Sequence, residues 1–282
     1  MHEYNLIRSK RKTIALQIKD GAVEVRAPLK ASKRDIDRFV ASKEKWIENK
    51  LTKSLARLEK RENFTLNYGD TALYLGKEYP IIARTGDSVG FDDSAGEFYI
   101  PPHLSPENIK AAVVQIYKML ARRDLTNKVR EFASQMDVKV ASVKITGAKT
   151  RWGSCSARPA FAQSRIYNIN FSWRLIMADG ATADYVVVHE LAHIREMNHS
   201  ARFWSIVENI LPDYKQRQAR LKELQKRLGN ENWDIDWDAA YDFFTSIAHR
   251  QPGLTRLSET HHPPCTQHNP RRALCQVFCQ AV

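Results

Sequence analysis

The run HELAHIREMNH brings His189, Glu190, His193 and His199 together within eleven residues, a set of side chains suited to holding a zinc ion and hydrolysing a bond beside it. Two histidines four apart on a helix are rotated by only about 40°, so both imidazoles leave one face about a turn apart and can grip the same ion. Glu190 points beside that ion, where a carboxylate can take a proton from an activated water. The bland alternative is a pair of satisfied core histidines next to a surface glutamate. It is disfavoured because Asp184-Tyr185-Val186-Val187-Val188 precedes the motif and Leu191, Ala192, Ile194 and Met197 follow it. A helix apolar on most sides belongs in a core, and polar groups there need partners.

Two residues compete to be the third ligand. On an unbroken helix Glu196 returns to the ligand face, whereas His199 is rotated about 120° from His193. The outcome depends on where the helix stops. Asn198 tolerates the left-handed conformation of a helix end, and Ser200 can cap a following helix with apolar positions Phe203, Ile206, Val207 and Ile210, ended by Pro212. His199 then sits in the corner between two helices and can fold back to the metal as third ligand, with a fourth position left to water. Glu196 takes a supporting or substrate-facing role, and Glu208, off the apolar face of its helix, is the weaker rival. The spacing also equals H-E-x-x-H-x-x-G-x-x-H, but the glycine position holds Glu196, where a left-handed turn would be strained, and no Met-turn signature follows.

The elements that must position this motif are mixed. TIALQI and AVEVRA read as a strand pair around Gly21, followed by one long amphipathic helix from Ser32 to about Glu62. Turn signals at Gly69-Asp70 and Gly76-Lys77 divide further strands, and Glu97 to Ile100 is another. Ser105 caps a helix that starts at Pro106 and runs to about Gln135. KVASVKITG and RIYNINFSWRL are strands on either side of the loop KTRWGSCSAR. In that loop Lys149, Arg151 and Trp152 are candidate substrate-binding residues, and Gly153, Ser154 and Ser156 could approach an anion or a carbonyl closely. The alternative is a hairpin turn with Trp152 packed beneath it.

The segment VVVHELAHIREMNHSARFWSIVENILPDY, preceded by TRWGSCS, resembles the YgjP-like metallopeptidase domain, a relative of SprT-like and WLM metallopeptidases in the zincin superfamily. The N-terminal stretch from Arg11 to Leu51 and the later LGKEYPI also read like this family, so the resemblance covers roughly residues 5 to 226. It implies His189, His193 and His199 as zinc ligands, Glu190 as the catalytic glutamate, and a cleft lined by the RWGSCS loop. The chain departs from the family pattern after RWGSCSAR, where PAFAQSRIYNINFSWRL makes a longer connection. The expected fold class is α+β. A zincin-like catalytic portion (helix, small sheet, H-E-x-x-H helix, C-terminal helix) over 105–230 follows a β-rich and helical accessory portion over 1–104. Residues 231–282 form an acidic, aromatic segment and then a disordered tail. The tail's His261, His262, Cys265, His268, Cys275 and Cys279 match no finger spacing.

The 282 residues are 43% hydrophobic, with no run of about 18 apolar residues that would cross a membrane. The start has no apolar signal core, so a cytoplasmic address is expected. Four cysteines, three of them in the tail, make no disulfide framework, and Cys155 reads as a small buried residue rather than a nucleophile. The net charge of +12 is concentrated early: residues 1–62 carry 17 Lys plus Arg against 9 Asp plus Glu. That excess is either the solvated face of a helix or a surface for nucleic acid.

Three functions fit these features. The first is a zinc-dependent metallopeptidase acting on polypeptides. The second uses the same metal site to hydrolyse a nucleoside triphosphate, with Lys149, Arg151 and Arg195 on the phosphates; no P-loop is present. The third is a nucleic-acid-associated protein whose metal only stabilises the fold.

Overall fold

The computed structural model describes residues 2–159 and 165–236, which form three small sheets and six α-helices. In the first sheet β2 (Ala15–Lys19) and β3 (Ala22–Pro28) make a hairpin, and β1 (Asn5–Ser9) adds in parallel to β3. Asp20 (φ 49°) and Gly21 (φ 74°) form its turn. Two consecutive left-handed residues give the hairpin twist that matches the strands.

Helices α1 (Lys33–Ala41) and α2 (Glu44–Glu62) replace the single helix expected from Ser32. Lys43 (φ −112°, ψ 14°) leaves the helical region. A straight helix over that span would run about 45 Å, roughly twice the length of the strands it covers. The break lets Ile36, Val40 and Ile47 all pack on Val23, Val25 and Ala27 in a small separate core.

The second sheet has the order β4 (Thr71–Tyr74), β5 (Lys77–Ala83), β7 (Glu97–Ile100), β6 (Gly90–Asp92). Its first hairpin turns at Leu75 (φ 48°) and Gly76 (φ 79°), whose N–H groups donate to the carbonyls of Ile176 and Met177. Those carbonyls belong to a 3₁₀ turn (Trp173–Met177) just before the motif helix. A Cβ on Gly76 would lie 2.9 Å from that of Asp179, so glycine lets the hairpin sit on the residue that caps the motif helix.

Helix α3 (Pro106–Gln135) starts at the expected cap, with Ser105 Oγ accepting from the Asn108 N–H, and is buried around much of its circumference. The third sheet follows in the order β8 (Ser142–Thr146), β10 (Arg165–Ser172), β9 (Gly153–Pro159). The stretch GSCSARP, expected as part of a loop, is therefore a strand. Its small residues lack the alternating apolar signal of a strand, and pairing with β10 supplies the extended conformation instead. The longer connection after it lies largely outside the described residues.

Helices α4 (Gly180–Arg195), α5 (Ala201–Ile210) and α6 (Tyr214–Leu228) complete the fold. One continuous core runs from Leu66 to Trp233, so the second sheet packs with α3 and α4 although the sequence grouping sets it with the N-terminal portion. Beyond α6 the chain turns back, and Trp233 packs its ring 5.0 Å from Phe64, 5.6 Å from Tyr117 and 5.9 Å from Trp173. The tail cysteines and histidines, and the expected disordered tail, lie outside the described residues. No helix among the described residues is long and apolar enough to cross a membrane.

Candidate metal centre

Helix α4 carries the motif through the core. Asp179 caps it by accepting from the Thr182 N–H, and Tyr185 to Val188, Leu191 and Ala192 are buried on it. At its far end Arg195 donates to the carbonyls of Met136 and Asp137 beyond α3. That fixes the end of the helix and commits Arg195 to a structural bond at the position expected to serve phosphates.

The helix breaks two residues earlier than the sequence suggests. Its cap is Glu196, extended at φ −141° and ψ 107°, and Asn198 is not among the residues with positive φ. An extended break needs no left-handed residue, so a glutamate adopts it without strain. The restart falls where expected: Ser200 Oγ accepts from the Phe203 N–H at the start of α5.

The corner between the two helices brings three imidazoles together. Ring nitrogens of His189, His193 and His199 all lie within 4.8 Å of one another, and the Nε2 atoms of His189 and His199 are 3.0 Å apart. Two nitrogens each about 2.05 Å from a tetrahedral ion would be about 3.3 Å apart, so the spacing suits a small divalent cation. Glu196 contributes through its backbone: its carbonyl lies 3.1 Å from His193 Nδ1, and a proton there leaves Nε2 free as a ligand. His189 Nδ1 is buried with no hydrogen-bond partner among the described residues. Burial, reinforced by its two histidine neighbours, depresses His189 to about 3, and burial also lowers His193. Both are therefore neutral at pH 7, the form in which imidazole binds metal.

Phe203, fully buried, is the platform beneath all three, with its ring centre 4.9, 4.6 and 4.8 Å from those of His189, His193 and His199. Trp204 stacks on His199 at an interplanar angle of 27°. Sequence reasoning took Phe203 only as an apolar position of its helix. The signal for more was its place one turn after His199, just inside a capped start.

Glu190 is 6% exposed and lies against β9. Burial pushes its carboxyl up to about 7, partly offset by the nearby Cys155 backbone and by the charge of Arg151. A Cβ on Gly153 would fall 2.6 Å from Glu190 Oε1. The anion approached by this small-residue stretch is thus the chain's own glutamate. Cys155, half-buried where a buried residue was expected, is pushed up to about 11 by burial and by the Glu190 charge and stays a neutral thiol.

The other candidate residues are divided. Lys149, Arg151 and Trp152 line a cavity of about 280 Å³, together with Arg57, Arg61 and Arg174 and the carboxylates Glu231 and Asp234. None of the three histidines lines it. Lys149 is paired with Asp234 at 2.5 Å. Among Lys149, Arg151 and Trp152, it is Arg151 whose charge is felt at Glu190.

A family profile described as "YgjP-like, metallopeptidase domain" matches residues 12–224. No curated protein matches the chain. Among solved structures, the crystal structure of the metallopeptidase zymogen of Pyrococcus abyssi abylysin is 20% identical, covering 38% of this chain and 97% of its own, with a TM-score of 0.29. Because the profile spans the first hairpin through most of α6, including Glu190 and the three histidines, the chain belongs to the YgjP-like metallopeptidase family.

Proposed function

We propose that this metallopeptidase is a zinc-dependent, zincin-type hydrolase in which His189, His193 and His199 hold the ion and Glu190 moves the protons. The observation that carries this reading is the convergence of three ring nitrogens within 4.8 Å at the end of the helix that also carries Glu190, a carboxylate that is 6% exposed. Three imidazoles with room for a fourth ligand are a donor set typical of catalytic rather than structural zinc. Zinc held by these residues would supply a Lewis acid that polarises a substrate carbonyl and makes water more acidic. Glu190 takes one proton from the attacking water onto a carboxylate oxygen and returns it to the leaving amine, so one C–N bond is exchanged for one C–O bond. Burial favours the protonated carboxyl, which helps Glu190 give the proton back.

The edge of β9 supports a peptide as substrate. Ser172 N–H donates to the Trp152 carbonyl, so even-numbered residues of β9 carry the ladder to β10. Gly153, Cys155 and Ala157 therefore direct their backbone groups to the edge left unpaired among the described residues. The Cys155 backbone faces Glu190, and an extended peptide would pair at Ala157 beside it.

A phosphate-bearing substrate is the second reading, favoured by the five cationic side chains that line the 280 Å³ cavity at the start of β9. Protein loaded with one equivalent of zinc should be offered unfolded casein and a panel of nucleoside triphosphates. Peptide cleavage that a chelator stops and zinc restores is the expected result. Phosphate release without peptide cleavage moves the assignment to the second reading, and neither activity overturns both.

A further inference from the structure

Gly153 opens strand β9 opposite Phe171, and nothing in its own backbone requires glycine, since its φ lies outside the positive range that L residues avoid. What excludes a side chain is the neighbour. A Cβ built on Gly153 would lie 2.6 Å from Oε1 of Glu190, 2.7 Å from its Cγ and 2.9 Å from its Cδ, all closer than real Cβ contacts. The volume a side chain would fill at this position is already filled by the glutamate.

Any accommodation falls on the Glu190 side chain, because the backbones on either side are packed in place. Phe171, paired with Gly153, and Ile169, paired with Cys155, are fully buried, and α4 is held between α3, β9 and α6. Two residues on, the backbone of Cys155 faces the same carboxylate closely enough to favour its charged form. The strand thus meets Glu190 at a missing side chain and at a nearby backbone group.

We infer that Gly153 is a positioning residue for Glu190, a gap in the edge strand that leaves the carboxylate room to lie against β9. This rests on the reading of Glu190 as the proton carrier. The glycine of the RWGSC stretch then serves neither a turn nor a ligand. It keeps backbone and carboxylate in direct contact.

The test is a set of variants carrying Gly153→Ala. In the zinc-loaded enzyme acting on casein, Gly153→Ala is expected to lower kcat by about 10²-fold, the cost of a misplacement of about 1 Å, with KM and zinc stoichiometry unchanged. A general structural defect would move KM and metal content too. Glu190→Asp, one methylene shorter, should partly relieve the clash, so adding it to Gly153→Ala should cost less than adding it to the wild type. A second measurement needs no substrate. Gly153→Ala should lower Tm by roughly 3 °C or more in the wild type, through overpacking, and by much less in a Glu190→Ala background. A folded Gly153→Ala enzyme with kcat within about twofold of wild type, or an equal Tm loss in both backgrounds, overturns the assignment. Activity that survives Glu190→Gln would instead overturn the role of Glu190, whatever Gly153 does.

Discussion

Truncating His199 to alanine should weaken zinc binding by about 10²-fold, while Glu196→Ala should leave it within a factor of about three. Four-ligand structural zinc sites bind with about 10–16 kcal/mol, or roughly 3 kcal/mol per ligand. At about 1.4 kcal/mol per decade, one lost ligand is about two decades in Kd. The structure separates this loss from misfolding. His199 is exposed, resting on Phe203 and Trp204, so its removal opens a corner to water rather than a hole in the core. Glu196 reaches His193 through its carbonyl oxygen, which alanine retains. Competition against a chromophoric chelator, on variants whose metal-free fold is checked by circular dichroism, measures both constants. A His199→Ala protein that binds zinc within about threefold of wild type would refute the assignment of the corner. So would a Glu196→Ala protein that loses as much as His199→Ala.

Two further outcomes follow from the same geometry. Phe203→Ala should weaken zinc binding about tenfold as well as costing roughly 3–5 kcal/mol of stability, because its ring supports all three imidazoles; chelator competition and denaturant melts read the two effects, and unchanged zinc affinity would deny the platform role. In the metal-free protein, His189 is lowered from 6.5 to about 3 and Glu190 raised from 4.5 to about 7, so their contributions to stability oppose each other between those unfolded values. As pH falls from about 6.5, the unfolded state takes up the histidine proton and stability drops, whereas the folded state takes up the glutamate proton and stability rises. Metal-free Glu190→Gln should therefore lose Tm between pH 6.5 and 4.5 more steeply than wild type, and parallel profiles would contradict these environments.

Local chemistry was legible in the sequence wherever residue type acts within a turn or two of chain. Spacing on α4 told which side chains share a face, and the Ser200 cap told where α5 begins. Ser105 and Pro106 announced α3 in the same way. The end of α4 was misjudged because an extended cap leaves no mark in residue type, unlike a left-handed one. The break at Lys43 answers to the length of a sheet the helix must fit, which local periodicity does not encode. Strand β9 was hidden because Gly, Ser and Cys carry no strand signature, and the reason for those small residues lies in Glu190, some 37 positions along the chain. Lys149 pairs with Asp234, a partner no motif could have named.

The most direct test of the whole account is the turnover of casein by Glu190→Gln at full zinc occupancy. Glutamine keeps the shape of the side chain but cannot accept the proton of the attacking water. The account predicts unchanged zinc stoichiometry with kcat reduced by at least about 10²-fold, within the usual range for a lost general base. Turnover within a few-fold of wild type, with zinc still bound, would contradict it.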